Sequence, residues 1–295
     1  MPQLIRTIVD LRAAIEKAQQ ERLRDQKIPV ALIPTMGALH DGHLALVDEC
    51  GSVCPSALTI VSIFVNPRQF ELESDDLKNY PRMLLRDLDL LNDKTDIVFA
   101  PSAQEMYPQN IGNEITVTAG PASAARFEGS KRVGHFDGVL TVVSKLFNIV
   151  QPDLAFFGQK DAEQVFLIKR MVQQLNYPIQ IHVVPTVRSP NGLALSSRNQ
   201  RLSDDERDAA LRIPYALFEA QKACKIGRKP SECMVKARKF FIDTPDNFKL
   251  DYLVMVRENT LAEIDNDNFK GNALVLMAVW VGGTRLIDNI LLEFK

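Results

Sequence analysis

The fold of this chain is constrained most by a ten-residue stretch that follows an apolar run. The run is Val-Ala-Leu-Ile at positions 30–33, and the stretch is Pro-Thr-Met-Gly-Ala-Leu-His-Asp-Gly-His at positions 34–43. An uninterrupted apolar run predicts a strand that is buried on both faces. The residues after position 43 predict a helix, with Asp41 or Gly42 at its N-cap. A direct passage from a buried strand to a helix is typical of a parallel α/β sheet.

Two histidines lie at this strand-to-helix junction. In an open parallel sheet the junction is at the carboxyl edge, where ligands bind and where the N–H groups of a helix start suit a phosphate. The three-residue spacing of His40 and His43 predicts both imidazoles on one side of the turn, so both can donate to one polyphosphate. Gly37 and Gly42 lack a Cβ, which lets a nucleotide approach the backbone. The alternative for this stretch alone is an ordinary pair of loop histidines.

The composition and the net charge limit which ligands and surroundings are expected for this chain. The 295 residues are 46% apolar and 24% charged, which suits a soluble globular protein with one large domain or two. The net charge of −2 argues against a broad nucleic-acid surface and favours a small anionic ligand. No run approaches the roughly 18 apolar residues of a membrane span, and no secretory signal is evident, so we expect a cytoplasmic protein with no membrane association. The four irregularly spaced cysteines predict reduced packing residues rather than disulfides or a zinc site.

Two kinds of pattern divide the chain. Residues 1–187 alternate apolar runs with helical periods, which predicts an α/β fold with a Rossmann-like doubly wound parallel sheet. Its predicted helices are 7–26, 83–92, 139–150 and 162–175, and its predicted strands include 57–65, 96–100, 179–185 and an edge strand at 114–118. Residues 188–295 predict a second, smaller α+β domain, with strands at 250–256, 273–281 and 285–291 and a Gly282-Gly283 hairpin turn.

A second strand-to-helix junction lies at residues 153–161. Gly158 is expected to open the turn, and Lys160 then directs a cation toward the carboxyl edge of the sheet. A loop lysine is normally solvated, but one placed directly after a buried strand is more informative. Gln164 lies one helical turn later and could face the same cleft.

A third candidate segment is the loop at residues 186–199, which ends in Ser196-Ser197-Arg198-Asn199. Two hydroxyls and an arginine are the donors that a triphosphate needs, although such a cluster alone is usually a cap or turn. Ser203 and Glu206 predict the cap of the next helix, at 204–224.

Three further features allow two interpretations each. Gln69 follows Asn-Pro at the end of a strand, where an amide could hold an alcohol or a carboxylate, or could simply be solvated. Asp87 and Asp89 could approach a nucleotide-bound Mg²⁺ or lie on an exposed helix. The stretch 128–138 contains three glycines, two cations and a histidine, which predicts a flexible, positively charged loop. It could be a lid or phosphate clamp, or a solvated connection.

Together these motifs resemble the class I nucleotidyltransferases, and more narrowly the pantothenate synthetase (pantoate–β-alanine ligase) family. The resemblance covers nearly the whole chain, and it is carried by these segments: 33–37 (Ile-Pro-Thr-Met-Gly), 62–67 (Ser-Ile-Phe-Val-Asn-Pro), 134–136 (Gly-His-Phe), 144–148 (Ser-Lys-Leu-Phe-Asn), 151–153 (Gln-Pro-Asp), 192–199 (Gly-Leu-Ala-Leu-Ser-Ser-Arg-Asn) and 285–289 (Arg-Leu-Ile-Asp-Asn). The chain departs from the usual pattern at Arg68, Arg86, Val133 and Gln159, and none of these changes removes a donor that the chemistry needs.

The resemblance implies ATP-dependent condensation of (R)-pantoate with β-alanine through pantoyl adenylate, with Mg²⁺, in a homodimer. It implies an ATP site made of Met36, Gly37, Ala38, Leu39, His40, Asp41, Gly42, His43, Gly158, Gln159, Lys160, Asp161, Val187, Leu195, Ser196, Ser197 and Arg198. Within that set, His43, His40 and Lys160 would be catalytic. Gln69 and Gln164 would bind pantoate, with Gln69 also near β-alanine, and Asp87 is the candidate metal ligand. Residues 1–187 would bind nucleotide and pantoate, and residues 188–295 would cover the active site.

Three alternative functions stay open at this point. A cytidylyltransferase of the same fold is the nearest enzyme alternative, and the Asn-Pro-Arg-Gln and Ser-Ser-Arg-Asn loops argue against it. A tRNA synthetase is disfavoured because the small C-terminal part and the negative charge offer little RNA surface. A catalytically silent ATP-binding or scaffold protein is expected to have lost the phosphate donors of the enzyme pattern. This sequence keeps all of them.

Overall fold

The fold is described from a computed structural model, which describes residues 1–21, 28–70, 75–108, 115–121 and 126–295. The chain divides into two compact units. The first contains Met1–Gly158 and Leu167–Val184, and the second contains Gln159–Phe166 and Pro185–Lys295. Residues 159–166 therefore group with the C-terminal part of the chain, although the predicted N-terminal domain includes them.

The first unit is built on a sheet of six parallel strands. They are β1 (Gln3–Ile5), β2 (Val30–Thr35), β3 (Leu58–Ile63), β4 (Ile97–Phe99), β5 (Leu154–Gly158) and β6 (Gln180–Val184), in the spatial order β1-β4-β3-β2-β5-β6. Ala31, Leu32 and Ile33 are fully buried, as a parallel strand covered on both faces requires. The predicted α/β fold with a parallel sheet is confirmed.

The strand order reverses beside β2. This strand pairs with β3 on one side and with β5 on the other. In doubly wound sheets the carboxyl ends of two such strands form the crevice in which ligands bind. The residues after β2 are those of the His-x-Gly-His stretch.

Helices surround this sheet. They are α1 (Ile8–Glu21), α2 (Asp41–Val53), α3 (Asp75–Lys78), α4 (Leu84–Leu90), α5 (Ala103–Met106), α6 (Phe127–Lys131) and α7 (His135–Val150), while α8 (Ala162–Gln174) begins in the second unit and ends in the first. α7 is buried along most of its length because it is apolar on nearly all sides. The predicted extent of α1 beyond Glu21 lies outside the described residues.

Two predictions for the first unit are wrong. Residues 115–118 form no strand; instead, the backbone N–H of Val117 donates to Thr141 Oγ1 on α7 at 3.0 Å, and Glu114 lies outside the described residues. The stretch 128–138 is not a glycine-rich loop, because α6 and the first turn of α7 occupy most of it. A Cβ at position 138 would lie 2.2 Å from the carbonyl oxygen of Arg68, so that glycine marks a close approach of two backbones.

The second unit packs helices on one antiparallel sheet. Its strands are β7 (Phe248–Arg257), β8 (Gly271–Val281) and β9 (Thr284–Phe294), in the order β7-β8-β9, and its helices are α9 (Asp204–Ala210), α10 (Arg212–Lys225) and α11 (Pro230–Arg238). The three predicted strands and the Gly282-Gly283 turn are confirmed, with Gly282 at φ +55°. Its core is apolar and includes Ile213, Leu217, Val275 and Val279.

The single helix predicted at 204–224 is two helices. α9 begins with the predicted capping box, in which Ser203 and Glu206 each bind the backbone of the other. The break falls at Leu211, because Pro214 has no N–H to donate to the carbonyl of Ala210 and its ring excludes a continuous helix there. All four cysteines are free, as predicted. Among the described residues no helix has the length and apolarity that crossing a membrane requires.

Candidate active site

The two histidines lie together at the start of α2. The helix begins at Asp41, so its N-cap is His40, one residue before the earlier of the two predicted positions. His40 Nδ1 accepts the backbone N–H of Gly42 at 3.1 Å, and His43 Nδ1 accepts the backbone N–H of His40 at 3.3 Å. The ring centroids are 4.1 Å apart. The three-residue spacing therefore does bring both imidazoles to one side of the turn.

This capping pattern fixes the proton position on both rings. A neutral imidazole has one N–H donor and one acceptor nitrogen. Because Nδ1 of each ring accepts a backbone N–H, each neutral ring carries its proton on Nε2. His40 and His43 are thus arranged to present two N–H donors beside the N-terminus of α2, where the helix dipole also favours an anion.

The backbone that leads to the histidines is held by a buried carboxylate. Asp87 of α4 is fully buried, and its two oxygens accept the N–H groups of Ala38 and Leu39 at 2.9 and 2.8 Å. Gly37 and Ala38 have φ values of +77° and +51°. Glycine adopts such a value readily, whereas Ala38 does so only because its surroundings impose it. A Cβ at Gly37 would lie 3.0 Å from Asp87 Oδ2. Asp87 therefore stabilises an unusual turn between β2 and α2.

This environment does not fit a metal site at Asp87. The carboxylate has no solvent exposure, and both of its oxygens already bind backbone N–H groups. Among the described residues, no group of three His, Cys, Asp or Glu side chains is arranged to hold a metal ion. Magnesium ligation by Asp87 finds no support in this geometry and stays a prediction.

Gln69 ends a short 3₁₀ turn, Pro67–Gln69, that is capped by Asn66. Asn66 is fully buried; it accepts the N–H of Arg68 and the hydroxyl of Tyr107 and donates to the carbonyl of Gly138 at 3.0 Å. These bonds tie the turn to α7 of the same unit.

The backbone carbonyl of Gln69 is fixed from a second direction. It accepts Nδ1–H of His135 at 2.9 Å and the guanidinium of Arg132 at 3.3 Å, and Arg132 also donates to His135 Nε2 at 3.0 Å. No local sequence pattern assigns roles to Asn66, Arg132 or His135. The Asn-Pro and Gly-His-Phe segments that contain Asn66 and His135 are visible in the sequence. However, Arg132 and His135 contact Gln69 from more than 60 residues away in the chain, which no local pattern shows.

In the second unit, Lys160 lies on a 3₁₀ turn, Gln159–Asp161. Its Nζ is 3.6 Å from Asp161 Oδ1, and its side chain is 19% exposed. The carbonyl groups of Gln159 and Lys160 both accept the side-chain amide of Asn289 on β9, at 2.9 and 2.8 Å. Lys160 is thus half-buried, and hydrogen bonds from Asn289 hold its turn against β9 of the same unit.

The predicted Ser-Ser-Arg segment lies close to this turn. Ser196 caps the 3₁₀ helix Ser197–Arg201, with its Oγ accepting the N–H of Arg198 at 3.3 Å. Lys160, Ser196 and Arg198 line one small cavity together with Asn199 and Arg285. Three predicted phosphate donors are therefore gathered within the second unit. Ser197 is half-buried in the following turn, and Gln164 is half-buried in the first turn of α8.

Val187 and Leu195 are paired across a hairpin that precedes this segment. The N–H of Leu195 donates to the carbonyl of Val187 at 3.0 Å, and Arg188 and Ala194 form an antiparallel bridge. Arg188 binds both carboxylate oxygens of the buried Asp288, at 2.6 and 3.0 Å. Burial raises the pKa of the Asp288 carboxyl, and the hydrogen bonds from Arg188 oppose that shift.

Comparison with known proteins agrees with this arrangement. The family model described as pantoate-beta-alanine ligase matches residues 3–291. A pantothenate synthetase of Leifsonia xyli subsp. xyli is 50% identical over 260 residues, which cover 88% of each chain. The pantothenate synthetase of Acidothermus cellulolyticus is 47% identical over 292 residues, which cover 98% of this chain and 91% of the relative.

Solved structures give the same result. The crystal structure of pantothenate synthetase from Thermus thermophilus matches with a TM-score of 0.87 at 38% identity, covering 98% of both chains. The pantoate-beta-alanine ligase of Francisella tularensis, crystallised in complex with beta-gamma ATP and β-alanine, matches with a TM-score of 0.75 at 32% identity and covers 99% of this chain and 98% of that one. The chain belongs to the pantoate–β-alanine ligase family.

Proposed function

We propose that the protein is an AMP-forming ligase that condenses (R)-pantoate with β-alanine and so makes pantothenate for coenzyme A biosynthesis. The observation that carries this proposal is the pair of Nε2–H donors of His40 and His43 at the N-terminus of α2, in a chain that the family model matches from residue 3 to 291. The ATP and β-alanine held by the Francisella tularensis relative support the same substrates.

In the first half-reaction, a carboxylate oxygen of pantoate attacks the α-phosphorus of ATP. The bond from that phosphorus to the bridging oxygen breaks, and pyrophosphate leaves with the electron pair. Negative charge builds on the leaving group, so fixed donors must surround it. We assign this role to His40 and His43 of the first unit and to Lys160, Ser196, Ser197 and Arg198 of the second.

In the second half-reaction, the neutral amine of β-alanine attacks the acyl carbon of pantoyl adenylate. The bond from that carbon to the phosphate oxygen breaks, AMP leaves, and the nitrogen loses a proton to give the amide. Water must be excluded while the adenylate exists. We propose that Gln69 and Gln164 hold pantoate through their amides, with Gln69 also near β-alanine.

The remaining ATP contacts are assigned by the family resemblance. We propose that the following residues contact ATP: Met36, Gly37, Ala38, Leu39, Asp41, Gly42, Gly158, Gln159, Asp161, Val187 and Leu195. We propose that residues 1–187 bind nucleotide and pantoate and that residues 188–295 cover the active site. When bound, Mg²⁺ would neutralise part of the phosphate charge, and we propose that it arrives with ATP rather than on a protein carboxylate. The family resemblance also favours a homodimer that works in the cytoplasm.

The decisive experiment is pantoate-dependent exchange of pyrophosphate into ATP. We expect exchange in the wild type, and a loss of about 100- to 1000-fold in His43→Ala or Lys160→Ala with normal folding, by analogy with the deletion of an oxyanion donor. His182→Gln and Lys94→Ala are matched controls: His182 stacks on Phe156 and Lys94 pairs with Asp48, both outside the proposed site.

Each alternative function gives a different result in the same assay. A cytidylyltransferase would exchange pyrophosphate into CTP and ignore pantoate, and a silent ATP-binding protein would show no exchange. Wild-type exchange rates in both His43→Ala and Lys160→Ala would contradict the site assignment.

A further inference from the structure

Two consecutive residues of β9, Asp288 and Asn289, contact both segments that carry the phosphate donors of the second unit. The Nδ2 group of Asn289 donates to the carbonyl oxygens of Gln159 and Lys160 at 2.9 and 2.8 Å. In return, Gln159 Nε2 donates to Asn289 Oδ1 at 3.4 Å. The whole side-chain amide of Asn289 is therefore used to hold the turn that carries Lys160.

Asp288 contacts the other segment, the hairpin that leads to Ser196. Its carboxylate binds Arg188 in a bidentate ion pair and also accepts the N–H of Asn289 at 2.7 Å. Arg188 in turn donates to the carbonyls of Gly192 and Asn289 at 3.1 and 3.2 Å. The guanidinium thus links the hairpin to β9 at several points.

Burying polar and charged side chains such as those of Asp288 and Asn289 costs free energy of desolvation, which stability alone does not explain. Asp288 and Asn289 are each only 3% exposed. The same strand buries Leu286, Leu292 and Phe294 in the apolar core, so apolar side chains are accommodated along it. Replacing a buried ion pair by apolar residues is often neutral or stabilising. We therefore expect Asp288 and Asn289 to have a role beyond packing.

The segments that are held need external support. Lys160 lies on a single 3₁₀ turn, which has few internal hydrogen bonds and poorer geometry than an α-helix. A displacement of about 1 Å in a catalytic group can reduce a rate by about 100-fold. An ammonium group on a turn that drifts would lose its alignment with a phosphate oxygen.

We propose that Asp288 and Asn289 are positioning residues that hold the Lys160 turn and the Ser196 hairpin in place for phosphate binding. Asn289 acts on Lys160 through two backbone carbonyls, and Asp288 acts on the hairpin through Arg188. This inference rests on the proposed function, in which Lys160 donates to the phosphates of ATP.

The test uses Asn289→Asp and Asn289→Ala in the full-length protein. The aspartate has the same shape but replaces the Nδ2 donor by an oxygen that faces two carbonyl oxygens, whereas alanine removes the donor without adding charge. We expect pantoate-dependent pyrophosphate exchange to fall about 100-fold in Asn289→Asp and by a smaller factor in Asn289→Ala. The fall should appear in kcat rather than in the KM for pantoate.

A double-mutant cycle with Lys160→Ala separates positioning from general destabilisation. If Asn289 acts through Lys160, either Asn289 substitution in the Lys160→Ala background should change the residual exchange less than about two-fold, because coupled residues are not additive. Losses that multiply in the double variant would overturn the inference. Normal exchange in both single variants of Asn289, combined with a loss in Lys160→Ala, would also overturn it and leave the proposed function intact.

Two control variants complete the design. Asn272→Asp makes the same chemical change on β8, where Asn272 is exposed and its amide contacts Glu258, so exchange should stay normal. Leu292→Ala creates a cavity in the core beside β9, so it should lower the melting temperature while the rate of the folded enzyme is kept. Wild-type exchange in Lys160→Ala, in contrast, would count against the role assigned to Lys160 and with it against this inference. Absence of pantoate-dependent exchange in the wild type would count against the proposed function itself.

Discussion

The carboxylate of Asp87 illustrates how one residue can decide the geometry of a turn that lies far away in the sequence. We expect Asp87→Asn to lower the free energy of unfolding by about 1–3 kcal/mol, because the new NH₂ group would face a backbone N–H and leave buried donors unpaired. Pyrophosphate exchange should fall as well, since one of the two N–H groups, of Ala38 or of Leu39, loses its acceptor beside His40. Urea unfolding and the exchange assay measure the two effects.

The same variant separates the structural role of Asp87 from metal ligation. A weakened metal site is rescued by excess Mg²⁺, whereas a lost turn is not, so we expect no rescue. Asp89→Asn, on the same helix, is the matched control and should be close to wild type. Recovery of Asp87→Asn activity at high Mg²⁺ would support the prediction that Asp87 is a metal ligand.

The buried thiols give a pH prediction at the same scale. Burial raises the pKa of Cys50 and Cys224, and it raises that of Cys233 to about 12. Above the ordinary value of 9.0, an unfolded Cys233 releases its proton while the folded one keeps it. The unfolded state then binds fewer protons, so the free energy of unfolding falls as pH rises. We expect the urea midpoint to drop less between pH 8 and pH 10 in Cys233→Ala than in the wild type; an equal drop would contradict this.

At the scale of elements, the contact between α7 and the Gln69 turn depends on one glycine. Alanine is normally a better helix former than glycine by about 1 kcal/mol. At position 138, however, a Cβ would lie 2.2 Å from the Arg68 carbonyl and 2.9 Å from the Gln69 N atom. We therefore expect Gly138→Ala to be destabilising and to raise the KM for pantoate, because the Gln69 turn must move.

A second helical glycine provides the control. A Cβ at Gly51 of α2 would meet no atom within 4 Å. Gly51→Ala should therefore stabilise the protein by about 0.5–1 kcal/mol. Thermal unfolding of the two variants compares the same substitution with and without the clash. Equal stabilities would show that the backbone approach at position 138 relaxes freely.

These elements also show what the sequence could and could not predict. The strand β2 and the Gly282-Gly283 turn were predictable because apolar runs and turn residues act locally. The stretch 128–138 was mispredicted as a loop because Gly138 is required by a carbonyl about 70 residues away, which no local pattern reports. For the same reason, His-x-Gly-His identified the histidines, while Asp87, Asn66 and Asn289 needed the fold to reveal their partners.

At the scale of the whole molecule, each unit has its own apolar core. Ala31, Val61 and Phe156 belong to the core of the first, and Ile213, Leu217 and Val275 to that of the second. The proposed phosphate donors belong to different units: His40 and His43 to the first, and Lys160, Ser196 and Arg198 to the second. The proposed reaction requires both sets to bind the same ATP.

Ligand-induced stabilisation tests this requirement directly. A ligand that binds only the folded protein stabilises it by about 2.7 kcal/mol at 100 times its Kd. We expect ATP with Mg²⁺ to raise the melting temperature of the wild type, and His43→Ala and Lys160→Ala each to lose most of that shift. His182→Gln and Lys94→Ala should keep it. If the melting temperature of Lys160→Ala rose with ATP as much as that of the wild type, ATP would bind without Lys160. The assignment of the phosphate donors in the second unit would then be wrong.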